Sequence, residues 1–246
     1  MTRASTDHDA SRDDQGPADP WLTCCAPLLV FMVLGAAEPS ASGGGLAGLM
    51  GLTFAHYPYV YALRLAATLA LLAWCRRPLA AWLGRPTWWP PLLGLALVVP
   101  WIVLSALQRD AGWFATTGGR AAFDPFSHYG PGSSALVYLA VRGLGLVVVV
   151  PVIEELFLRG FLMRYVVRED FWTVPFGTLT AAAAGACAAY AVVSHPGEAV
   201  AALGWFAVVS GIAAATRRPI DCILAHAATN LALGAYVLVS GSWWLV

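Results

Sequence analysis

Three groups of ionisable and amide side chains interrupt long apolar stretches of this 246-residue sequence. The first is Glu154-Glu155-Leu156-Phe157-Leu158-Arg159, directly after the valine-rich run 147–152. The second is His195, which closes an alanine-rich stretch and precedes Pro196-Gly197. The third is His226-Ala227-Ala228-Thr229-Asn230. An ionisable side chain at mid-bilayer costs roughly 2.5–3.5 kcal/mol on insertion scales, so each such group needs a reason. Glu155 and Arg159 are four residues apart and share a helix face, where the acid preceding the base pairs well. Glu154 points about 100° around the helix from Glu155 and escapes that pair. It is a carboxylate in an apolar setting, which suits a general base. His226 and Asn230, again four apart, point the same way, and such a pair can hold a metal or hydrogen-bond a developing oxyanion. His195 supplies a second imidazole from another helix. Intramembrane acids and histidines also mark proton relays, so a proton-coupled transporter or a non-catalytic scaffold or immunity-type protein stands beside hydrolysis. The internal repeats common in transporters are not evident.

The surrounding elements are set by composition. Apolar and aromatic residues make up 59% of the chain and charged residues only 11%, with a mean hydropathy of +0.68. Soluble domains carry about a quarter charged residues, so this chain has too little polar residue to cover a water-facing surface. Seven apolar segments, at 21–37, 59–74, 91–107, 134–158 (extending through 167), 175–194, 199–216 and 220–239, predict an all-α polytopic membrane protein. About seven transmembrane helices would enclose a buried polar site among the C-terminal ones. Residues 1–20 read as a disordered polar tail, 21–133 as N-terminal helices and interfacial loops, and 134–240 as the core. The acidic tail is the wrong leader for a signal peptide, so 21–37 is expected to be retained. The stretch 43–55 is too short to span, and the aromatic loop 108–132, with Trp113 and Phe114, suits the headgroup level.

With the N-terminus inside, ten of the fourteen arginines fall on inner segments and only Arg109 and Arg120 on outer ones, as the positive-inside rule requires. Arg64 and Arg142 fall within helices and are expected to snorkel to the interface. Asp221 reads as a solvated helix end. All basic residues are arginine, none lysine, and alanine is abundant, a bias of GC-rich genomes that points to a bacterial inner membrane. The formal net charge is zero, which excludes the basic surface of a nucleic-acid binder. The five cysteines are odd in number and lack a C-x-x-C pair, so they read as buried small hydrophobes.

At the three polar groups the chain resembles the type II CAAX prenyl endopeptidases and their bacterial relatives, the CPBP intramembrane proteases. Their pattern is E-E-x-x-x-R, an aromatic-x-x-x-H, and H-x-x-x-N on successive core segments. Glu154, Glu155 and Arg159 match the first, His195 the histidine of the second, and His226 with Asn230 the third. Ala191 stands where the aromatic belongs, with Tyr190 beside it. The resemblance covers about residues 134–240 and extends to the subgroup that accompanies bacterial exosortases. It implies that Glu154 activates the hydrolytic water with help from His195. His226 and Asn230 would stabilise the oxyanion, and Glu155 with Arg159 would hold the first helix in position. It also implies a membrane-associated or C-terminally anchored protein substrate. Zinc on Glu154, His195 and His226 is possible, but H-E-x-x-H is absent and asparagine is a poor zinc ligand, so no obligatory cofactor is expected. His195 closes a helix running outward, so it can meet Glu154 and His226 only if that helix stops inside the membrane beside a polar cavity. A rival serine-protease reading rests on Gly132-Ser133-Ser134-Ala135, in a turn-like setting beside Pro131.

Overall fold

The computed structural model describes residues 19–40, 43–113 and 123–245. Most of the polar tail, with Arg3 and Arg12, and part of the aromatic loop, with Phe114 and Arg120, lie outside these residues. No strand occurs among the described residues. The apolar segments form seven helices: α1 (Ala26–Gly35), α2 (Tyr57–Trp74), α3 (Trp89–Asp110), α4 (Ser133–Tyr165), α5 (Ala181–Ser194), α6 (Ala199–Thr216) and α7 (Pro219–Ser240).

Four of them, α3, α4, α7 and α6 with the 3-10 turn before it, are long and apolar enough to cross a membrane. Helix α2 makes a fifth candidate together with Arg76–Leu83, from which it is bent by 73°. Among the described residues, length and apolarity thus support four or five of the seven expected spans. Helices α1 and α5 have 10 and 14 residues. They rise ~15 and ~21 Å, against a hydrocarbon core of ~30 Å. Hydropathy reads composition and not where a helix stops. The stop is local chemistry: Gly177 has φ +80°, and a Cβ there would collide with the Ala213 carbonyl, so residues 175–179 turn against α6. Thr180 then opens α5 by accepting a hydrogen bond from the Ala183 N–H at 3.1 Å.

The core is built by α3, α6 and α7. Gly94 of α3 meets the Ala225 backbone so closely that any side chain there would strike its carbonyl oxygen. Thr229 fastens the contact by donating to the Gly94 carbonyl at 2.7 Å. Arg217, in the left-handed region at φ 54°, closes the tight turn from α6 into α7, and Pro219 starts α7 where a missing N–H costs nothing. Large apolar side chains face outward, with Val193 81% and Val239 91% exposed. In water such a surface would aggregate, whereas lipid solvates it.

Candidate active site

Glu154 and Glu155 lie in α4 between two π-helical stretches, Gly145–Val149 and Leu156–Leu162. Glu155 Oε2 and Arg159 Nη1 are 2.5 Å apart, and both side chains are almost fully buried. Arg159 also donates through Nη2 to the Phe206 carbonyl at 3.0 Å and to Ser210 Oγ at 3.4 Å, which ties α4 to α6. The second oxygen of Glu155 is 3.1 Å from His226 Nδ1 on α7. On the other side of the ring, His226 Nε2 is 3.9 Å from Glu154 Oε2. One imidazole thus sits between two adjacent carboxylates of one helix. An ionised carboxylate only accepts, so the short contact places the proton on Nδ1 and turns Nε2 toward Glu154. Trp205 packs edge-on against the ring at 4.5 Å, and its Nε1 donates to Thr229 Oγ1 at 3.1 Å.

Asn230 owes its position to a defect in α4. In the π-helical stretch the Val150 N–H bonds to the Gly145 carbonyl, five residues back. The same register would pair the Leu146 carbonyl with residue 151, but Pro151 has no N–H. Asn230 Nδ2 fills the vacancy by donating to that carbonyl at 2.8 Å. The sequence shows Pro151 but not which side chain answers it.

His195 occupies the C-cap of α5, with φ −132° and ψ 59°, and the chain turns back through Pro196–Glu198. The turn is held by Gln108 of α3. Its Nε2 donates to the Pro196 and Gly197 carbonyls at 3.1 and 2.9 Å, and its Oε1 accepts from Val200 N–H at 2.9 Å. Gln108 is buried, although its place two residues before the end of α3 suggested nothing of the kind. Its partners are backbone atoms some ninety residues away, which no local motif announces. The His195 ring meets Trp101 of α3 and Phe206 of α6 edge-on or tilted, at 5.5 and 5.6 Å, and its Nδ1 is 2.8 Å from Ser194 Oγ. Trp101 precedes Gln108 by seven residues, so the ring dips ~10 Å back along α3 from the level of the turn.

Glu154, His195, His226 and Asn230 all line one cavity of about 910 Å³. Ser133 and Ser134 are exposed at the start of α4 and do not line it. Among the described residues, no group of three His, Cys, Asp or Glu side chains could hold a metal ion. The donor capacity of Glu155 is already taken by Arg159 and His226. All five cysteines are buried and free. One other sequence expectation changes. Asp221 is fully buried and accepts from Thr87 N–H and Oγ1 at 2.7 and 2.8 Å. Arg64 pairs with Glu38 at 2.8 Å, and Arg142 lines the cavity beside the Tyr61 ring.

The class defined by these helices is a polytopic membrane protein with a cavity in its apolar bundle that carries polar groups on part of its wall. Residues 136–232 match the family described as Type II CAAX prenyl endopeptidase Rce1-like. The match supports CPBP family membership for that segment, which holds most of α4 through most of α7. Neither a curated protein nor a solved structure matches the chain.

Proposed function

We propose that the chain is an intramembrane endopeptidase that hydrolyses a peptide bond near the C-terminus or the membrane anchor of a protein substrate. The observation that carries this reading is the His226 ring held between Glu154 and Glu155 on a cavity wall shared with His195 and Asn230. Glu154 takes a proton from a water in the cavity, and the resulting hydroxide attacks the scissile carbonyl carbon. His195, from the facing wall, assists in orienting that water. The tetrahedral oxyanion receives hydrogen bonds from the second N–H of the Asn230 amide and from the His226 ring. Glu154 then returns its proton to the leaving amine. Glu155 acts through His226, fixing its ring, while Arg159 balances the Glu155 charge. No step in this reading runs through a metal.

The setting proposed with this chemistry is a bacterial inner membrane, with the N-terminus cytoplasmic and α1 and α5 completing seven passes as short helices. Protein termini in membranes from cells carrying the intact chain or Glu154→Gln test the reading. New termini should appear only with the intact chain, and the variant should process them ~10²–10⁴-fold more slowly. The same cleavage should persist in a chelator. Identical termini in both cell lines, with the variant well folded, would leave a scaffold as the better account.

A further inference from the structure

The cavity has a second end that the proposed chemistry does not use. Arg142 lies twelve residues before Glu154 on the continuous helix α4, ~18 Å along its axis. Its guanidinium sits 4.7 Å from the Tyr61 ring centroid, and Tyr57, Tyr138 and Glu38 are its other ionisable neighbours. Arg64 lines the same end, stacked 3.5 Å over Phe31 and paired with Glu38 at 2.8 Å. A side chain on Gly35 would strike the Arg64 guanidinium, so that glycine makes room for the charge. Two arginines thus share one carboxylate. Arg142 has no carboxylate within ion-pair distance among the described residues, and Arg64 Nε has no hydrogen-bond partner among them. Two half-buried guanidinium groups against one carboxylate, with three phenols around them, give this lobe a net positive charge that attracts anions.

We propose that this lobe binds the free C-terminal carboxylate of the peptide substrate, with Arg142 as its main partner. The proposal rests on the endopeptidase reading for the identity of the ligand, and it sets a length. An extended chain advances ~3.3 Å per residue, so the ~18 Å between Arg142 and Glu154 accommodates roughly five residues. The peptide released would then be about that long. A lipid phosphate could offer the lobe a similar anion, but the lobe opens directly into the proposed hydrolytic site, where a substrate terminus must lie.

The test is a binding measurement that needs no turnover. The full-length protein in detergent, and its Glu154→Gln form, are each incubated with a mixed pool of apolar tri- to heptapeptides. Half the pool carries free C-terminal acids and half carboxamides, and bound peptides are read by mass spectrometry. Acids of about five residues should be enriched over amides about tenfold or more, the factor carried by one charge-assisted hydrogen bond, in both forms. Arg142→Gln should abolish the preference, and Arg142→Lys should restore part of it, each with an unaltered gel-filtration profile. Lack of acid enrichment, whether from equal binding or none, overturns the proposal. So does enrichment that survives Arg142→Gln, or acid binding displaced by short-chain phosphatidic acid but not by excess peptide acid. Loss of proteolysis in Glu154→Gln with acid preference intact keeps the two readings separable. Cleavage that persists in Glu154→Gln would overturn the hydrolytic assignment while leaving the binding result standing.

Discussion

Glu154 and Glu155 are neighbours in sequence with opposite duties. Glu155 is 2% exposed and spends both oxygens on protein, one on Arg159 and one on His226. Glu154 faces the cavity, at 3.9 Å from the same imidazole. Removing the charge of either should therefore fail in different ways. Glu155→Gln leaves Arg159 charged in a buried site, and breaking such a pair costs about 3–5 kcal/mol. We expect a clearly lower unfolding midpoint in detergent for Glu155→Gln, and a midpoint near that of the parent for Glu154→Gln, whose loss is in turnover. Equal midpoints for the two variants would show that Glu155 does not carry the structural load. Spacing alone indicated the Glu155–Arg159 pair. It could not indicate that Glu155 also reaches α7, because that contact joins residues 71 apart in sequence.

At the scale of elements, the irregularities of α4 and α5 place the polar groups more than the regular turns do. A regular α-helix would drive the Pro151 ring into the carbonyl four residues earlier, and the π-helical stretch before it opens that turn. The Leu146 carbonyl left over is what posts Asn230. Pro151→Ala supplies the missing N–H and competes for that carbonyl. Turnover of a cleaved substrate should fall about tenfold, the worth of one hydrogen bond, with no loss in unfolding midpoint. Unchanged turnover would mean that Asn230 does not depend on the defect. The helical segments themselves were legible, since apolar runs of this length admit little else. The start of α5 was also written in the sequence, as Pro175, Gly177 and the capping Thr180. The seven-span expectation missed it by weighing apolarity over turn chemistry. Gln108 and the cavity-lining Arg142 were not legible at all. A lone glutamine near a helix end and a lone arginine within one have surface explanations until the partner helices are known.

For the whole molecule, the arginine distribution and the helix order make one prediction that does not involve the site. If α1 and α5 complete their passes, the Arg217–Arg218 turn lies inside and the residues after Ser240 lie outside. Alkaline phosphatase, active only when exported, should be active when joined after Ser240 and inactive when joined after Arg218. The reverse pattern would invert the orientation. The 14-residue α5 carries a further consequence for the bilayer around the protein. Its ~21 Å leaves about 9 Å of hydrocarbon thickness unmatched. Lipids beside it must shorten or tilt to meet it, at fractions of a kcal/mol per ångström. If α5 completes a pass, the protein would maintain its own annulus of thinned membrane next to His195. Aqueous solvent and a polar peptide backbone would cross a shorter greasy path there than beside the full-length helices.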